Sequence, residues 1–207
     1  MTKIKLIIYN SLPREPILNT QNEYVNRKIS LINNAARRAS SSVAYDLLDS
    51  ILKENGYQGL DARIIRENEY GKPYFSNSDT HFNLAHSDNA VICAISDSPI
   101  GVDIERIGEI KPKILNKCFS DKEASYISSP DDFYKLWTLK EAYVKALGIG
   151  ISKRLSEISF TIEDNIRCTV NGSCSKYNFI SGKAFGYAYS ICSSETIAPD
   201  NITIEKV

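Results

Sequence analysis

The chain has no surplus of either charge. Its 207 residues carry 25 Lys and Arg against 25 Asp and Glu, so the broad basic surface expected of a nucleic-acid binder is missing. Any anionic ligand must therefore be caught by a local site. The five cysteines, Cys93, Cys118, Cys168, Cys174 and Cys192, are odd in number and form no Cys-x-x-Cys pair. That excludes the sequence signs of a disulfide framework and of a zinc site, and reduced, mostly buried thiols are expected. No apolar run approaches the roughly 18 residues of a membrane span, and the opening Met1 to Tyr9 is a short apolar run with lysines inside it. No membrane association and a cytoplasmic location are expected. What remains, 43% hydrophobic and 24% charged residues, is enough to bury a real core, at a length between one large domain and two small ones.

Ile4 to Tyr9 reads as a first strand, broken by Pro13 and Pro16. From Asn22 to Asn55 the pattern is helical, as two helices, with Val43, Leu47, Leu48, Ile51 and Leu52 at helical spacing and Gly56 as a stop. Short strands follow at 62–67, 82–85, 90–95 and 100–105, with Ser87-Asp88-Asn89 as a hairpin loop. Ser120 to Glu123 has the form of a capping box. Ser129-Pro130-Asp131-Asp132 opens a helix that should run to Leu147 and stop at Gly148. Strands are expected again at 158–162, 167–170, 177–180, 185–191 and 202–206. The order of elements implies an α+β fold of two similar halves, 1–100 and 101–207.

The densest chemistry lies in two segments. Gly101-Val102-Asp103-Ile104-Glu105 puts two carboxylates on one side of an apolar strand, since alternate residues point the same way. The plain alternative is an edge strand with one solvated face. About 36 residues later, Trp137-Thr138-Leu139-Lys140-Glu141-Ala142-Tyr143-Val144-Lys145 offers a third carboxylate and two ammonium groups from one helix. Trp137, Glu141 and Lys145 recur every four residues along one face. Glu141 and Lys145 could equally be an exposed ion pair worth about 0.2–0.5 kcal/mol. Three carboxylates with a pyrophosphate are also a sensible set for magnesium, which asks for about six oxygens and usually shares them with substrate phosphates. His86, at a strand end before a polar turn, could hydrogen-bond a phosphate oxygen or be an ordinary surface histidine. Lys72, in Gly71-Lys72-Pro73, sits at a rigid corner, and Arg37-Arg38 is by itself a solvated pair.

Taken in order, Gly71-Lys72-Pro73, Phe82-Asn83-Leu84-Ala85-His86-Ser87, the Gly101 to Glu105 strand and the Trp137 to Lys145 helix resemble the 4′-phosphopantetheinyl transferase superfamily, in its longer, surfactin-synthetase-activating branch. The resemblance covers roughly residues 35 to 160, and its paired G-[IV]-D-[IV]-E and W-[ST]-x-K-E-[AS] motifs are specific at this separation. It implies a monomeric pseudo-dimer of two α+β halves, with the active site and coenzyme A in the cleft between them. The implied reaction is Mg-dependent transfer of the phosphopantetheine arm of coenzyme A to a serine of an acyl or peptidyl carrier protein, releasing adenosine 3′,5′-bisphosphate.

By the same resemblance Asp103, Glu105 and Glu141 match the magnesium ligands. Glu141 is also the implied base, and Lys145 the group that assists the leaving phosphate. Arg38, Lys72, His86 and Lys140 match coenzyme contacts, Arg38 through the helix pattern R-x-x-S-x-x-A-Y-x-L-L over 38–48. Ala85 departs from the family, where a serine is common, and should cost about 0.5–1.5 kcal/mol of one hydrogen bond. Two alternatives stay open: a non-catalytic homologue that binds coenzyme A or carrier protein, and another Mg-dependent phosphoryl-transfer enzyme.

Overall fold

The computed structural model describes residues 1–16, 18–150 and 155–207. The chain opens with β1 (Thr2–Ile8), α1 (Glu23–Ser30) and α2 (Ala35–Glu54). A small ribbon of β2 (Ile65–Glu67) and β3 (Pro73–Phe75) precedes the hairpin β4 (His81–Ser87) and β5 (Ala90–Ser96). Then come β6 (Ile100–Arg106), α3 (Pro112–Cys118), α4 (Asp121–Tyr126) and the long α5 (Pro130–Leu147). The last part holds β7 (Ile158–Ile162), β8 (Ile166–Val170), β9 (Ser173–Cys174), β10 (Asn178–Ala184), β11 (Tyr187–Ser193) and β12 (Ile202–Lys206). No described helix is long and apolar enough to cross a membrane.

The helices begin and end where their cap residues dictate. Asn34 caps α2 by accepting from the Arg37 amide, Ser120 and Glu123 complete the capping box of α4, and Ser129 caps α5. Gly148 ends α5 in the left-handed conformation at φ +68°. Strand boundaries move more. β10 and β11 meet at Phe185 and Gly186, with φ of +50° and +84°, so the strand expected to start at Phe185 starts at Tyr187. A two-residue hairpin turn needs positive φ at both central positions. Near residue 62 the chain makes a helical turn at Leu60–Ala62, and the expected strand shrinks to Ile65–Glu67.

The two halves repeat one plan, a strand, a long helix and a hairpin. In the first half β1, β5 and β4 lie in that sheet order under α2; in the second β6, β11 and β10 lie in the same order under α5. The sheets face each other across a shared core of Ile4, Leu6, Ile92, Ile100, Val102 and Ile191. Their outer faces are covered by α2, through Leu48, Ile51 and Leu52, and by α5, through Leu136, Leu139 and Tyr143. This layering explains β5, whose every residue is buried and which shows no apolar–polar alternation. β12 leaves the second half and pairs in parallel with β1, extending the first sheet.

β4 and β6 are the strands along which the halves meet, and side chains stitch them. Asn83 accepts from the Val102 amide at 2.8 Å, and Ser87 accepts from the Arg106 amide at 3.1 Å. On β6 Ile100, Val102 and Ile104 enter the shared core, so Gly101, Asp103 and Glu105 are turned the other way, toward α5. At Gly101 the helix backbone comes so close that a Cβ would overlap the Ala142 carbonyl and the Ala146 amide. Gly101→Ala should therefore push α5 off β6 and destabilise the fold by about 1–3 kcal/mol, read as a lower urea midpoint.

Candidate active site

Because the helix covers it, the carboxylate side of β6 is not a solvated edge. Asp103 is 5% exposed and Glu141, across from it on α5, is equally sheltered. Lys145, one turn after Glu141, donates to Asp103 Oδ1 at 2.6 Å. Asp103 Oδ2 and Glu141 Oε1 are buried with no hydrogen-bond partner. Glu105 is half-buried and accepts from the Ser87 hydroxyl at 3.0 Å. Burial raises the Asp103 pKa to about 6 despite the Lys145 ammonium beside it. Burial also raises Glu141 to about 7, with the Asp103 charge the next cause. Two desolvated carboxylates thus face each other with one ammonium between them, which leaves negative charge uncompensated.

Among the described residues no three His, Cys, Asp or Glu side chains stand close enough to form a ready-made metal cage. The two orphaned oxygens still fit a magnesium ion, which commonly takes one or two protein carboxylates and completes its shell with phosphate oxygens and water. That they lack partners is a property of the fold itself.

Beside this cluster the halves enclose a cleft of about 230 Å³, bordered by Lys72, Pro73 and Asn83 from the first half and by Val144, Lys145 and Gly148 from the second. Lys72 crosses it and donates to the Ile100 and Ala146 carbonyls, each at 3.2 Å. Burial lowers its pKa to about 8. Lys72 thus ties the start of β6 to the end of α5, and its ammonium has both carbonyls as partners. His86 is held from α2, with Nδ1 at 3.1 Å from the Ser40 hydroxyl and Nε2 at 3.0 Å from that of Ser41. Burial lowers its pKa to about 4, and the charges of Lys145 and Arg37 add to the effect. This environment favours the neutral ring.

Two expectations change. Lys140, read as a coenzyme contact beside the metal, points into the core of the second half. It is wholly buried and pairs with Glu123 at 2.8 Å. It also donates to the carbonyls of Leu155, at 2.8 Å, and Ile158. Neighbours on a helix project about 100° apart, so Lys140 and Glu141 cannot both face β6. Arg38 donates from Nη1 to the Ile32 carbonyl at 3.4 Å, within the α1–α2 connection, and its Nε is buried without a partner. Arg37 is the arginine whose charge reaches His86.

Three serines to which the sequence assigns no role complete the arrangement, although Ser41 lies in the helix pattern over 38–48 and Ser87 in the Phe82 to Ser87 motif. Ser40, Ser41 and Ser87 find their partners only through the fold. Glu123 was visible as a capping residue, yet its second task is larger. It accepts from the Phe160 amide at 2.9 Å as well as from Lys140, joining α4, α5 and β7.

Residues 99–196 match the family model of the 4′-phosphopantetheinyl transferase superfamily. The chain is 45% identical over 113 residues to 4′-phosphopantetheinyl transferase gsp of Aneurinibacillus migulanus, covering 52% of this chain and 46% of that protein. It is 32% identical over 173 residues to 4′-phosphopantetheinyl transferase Sfp of Bacillus subtilis strain 168, covering 77% of this chain and 76% of that one. The match thus spans just under half of the first relative and about three quarters of the second. The solved structure of Helicobacter pylori holo-[acyl-carrier-protein] synthase in complex with coenzyme A superposes with a TM-score of 0.39 at 22% identity, over 45% of this chain and 96% of that one.

The unpaired carboxylates set a stability trade. A carboxyl raised from 4.5 to about 7 binds a proton in the folded state before it does in the unfolded one, so stability rises as pH falls through 7. Without added divalent cation, Glu141→Gln should melt above the wild type at pH 8, by about 2–4 °C per kcal/mol of relieved repulsion. That gap should close toward pH 5. The Lys140–Glu123 pair predicts the opposite: Glu123→Gln strands a buried ammonium and should cost about 3–5 kcal/mol in denaturant titration, and adding Lys140→Met should restore part of it.

Proposed function

The chain belongs to the 4′-phosphopantetheinyl transferase superfamily, and on that premise we propose that it moves the phosphopantetheine arm of coenzyme A to a serine of an acyl or peptidyl carrier protein. The observation that carries the reading is the pair of orphaned carboxylate oxygens on Asp103 and Glu141, set beside a lysine-bordered cleft between the halves. A phosphoryl-type transfer needs little covalent help from the protein and much positioning and charge neutralisation.

In this reading the serine oxygen bonds to the β-phosphorus and the pyrophosphate bridge breaks, releasing adenosine 3′,5′-bisphosphate. Glu141, buried opposite Asp103 on α5, accepts the serine proton. Lys145, at the edge of the cleft, compensates charge that builds on the leaving phosphate. Asp103 and Glu141, with Glu105 nearby, would hold magnesium, and the ion would supply the remaining charge neutralisation on the pyrophosphate.

The first half, residues 1–100, contributes the coenzyme contacts. His86, fixed by Ser40 and Ser41, offers a ring nitrogen to a phosphate oxygen once a serine yields it. Arg37, whose charge reaches His86, adds positive potential for an anion there. Residues 101–207 contribute the carboxylates and the catalytic helix. The same reading takes the protein to act as a monomer in the cytoplasm, without nucleic acid or membrane.

Intact-mass spectrometry of an apo carrier protein incubated with this protein, coenzyme A and magnesium tests it. The carrier should gain one phosphopantetheine arm, and a chelator should abolish the gain. Glu141→Gln should lower the transfer rate by about 10²–10⁴-fold while coenzyme A still binds. Near-normal transfer by that variant refutes the role of Glu141.

A further inference from the structure

We propose that Lys145 is an internal competitor for the metal, a tethered cation that holds Asp103 Oδ1 and is driven off when a divalent ion takes the free Oδ2 of the same carboxylate. The inference rests on the transferase reading of this site.

The two lysines of the helix motif show what displacement requires. Lys140 is 0% exposed and bound to a carboxylate and two carbonyls, so it is fixed. Lys145 is 27% exposed, and its recorded bond is the one to Asp103 Oδ1. Its side chain borders the cleft, so an ammonium leaving Asp103 enters space where an anionic substrate would lie. A released lysine there is an anion contact, and one still on Asp103 is not.

Electrostatics gives the competition its sign. Asp103, Glu141 and Glu105 contribute three carboxylates that act on one another, against one ammonium among them. The other lysine bordering the cleft, Lys72, is committed to two carbonyls. A divalent ion at Asp103 Oδ2 brings twice the charge of Lys145 to the same carboxylate, and it repels the ammonium on Oδ1. Since a ligand shifts an equilibrium only by its differential affinity, the Lys145–Asp103 pair weakens metal binding by whatever it costs to break. By reciprocity, metal binding frees Lys145 for the substrate.

Mn2+ binding to the purified protein without coenzyme A, followed by electron paramagnetic resonance, reads this directly. Lys145→Met should bind Mn2+ about tenfold more tightly or better, while Lys135→Met, which removes the same charge elsewhere on α5, should not change it. Unchanged or weaker binding by a folded Lys145→Met overturns the proposal. A second readout uses the wild type alone: reductive methylation of Lys145, quantified by peptide mass, should speed up when Mn2+ is added. A rate that is unchanged or slower also overturns it, including where the variant fails to fold. If the wild type binds Mn2+ with coenzyme A present but these readouts fail, only the competition is lost. If it binds no Mn2+ even then, the metal-dependent transferase reading falls and takes this inference with it.

Discussion

The site depends on how closely one helix lies on one strand. α5 settles on β6 at Gly101, where only a residue without a side chain leaves room for the Ala142 and Ala146 backbone. From that contact the rest follows by periodicity. Two residues along the strand, Asp103 is carried under the helix, and the helix turn above it presents Glu141 and Lys145. A wider separation would admit water between strand and helix. The carboxylates would then be solvated, their pKa values ordinary and their oxygens satisfied.

The same helix does structural and chemical work on different faces. Toward the second core it anchors Lys140 to Glu123, a pair whose charges are mutually satisfied and reinforced by carbonyls and the Phe160 amide. Toward β6 it holds charges left unsatisfied. Buried polar groups normally find partners, and exceptions grouped in one place mark where a fold gives up stability for another use. The contrast between two lysines five residues apart separates architecture from chemistry more sharply than either does alone.

Much of this was legible because it is local. Caps and stops depend on neighbouring residues, so the span of α5 and the capping box at Ser120 read directly. The strand alternation of Asp103 and Glu105 gave their common side, although nothing in the strand says that a helix covers it. Lys140 was misread because sequence adjacency to Glu141 hides a 100° turn, and only the packing of α5 tells which face meets β6. The serines that hold His86 are 45 and 46 residues away, so although Ser41 sits in the helix pattern over 38–48, its partner could not be read from it. Arg37 and Arg38 could not be told apart for the same reason as Lys140, since the direction of each depends on how α2 docks.

β12 pairs in parallel with β1, the first strand of the chain. Until residues 202–206 are made and in place, β1 is an edge strand with a row of backbone donors and acceptors facing solvent, the kind of row that recruits foreign strands. The first half therefore cannot be finished while the chain is still growing through its second half. Its sheet closes late, by a contact that spans nearly the whole sequence and carries the high loop-closure cost of such pairings.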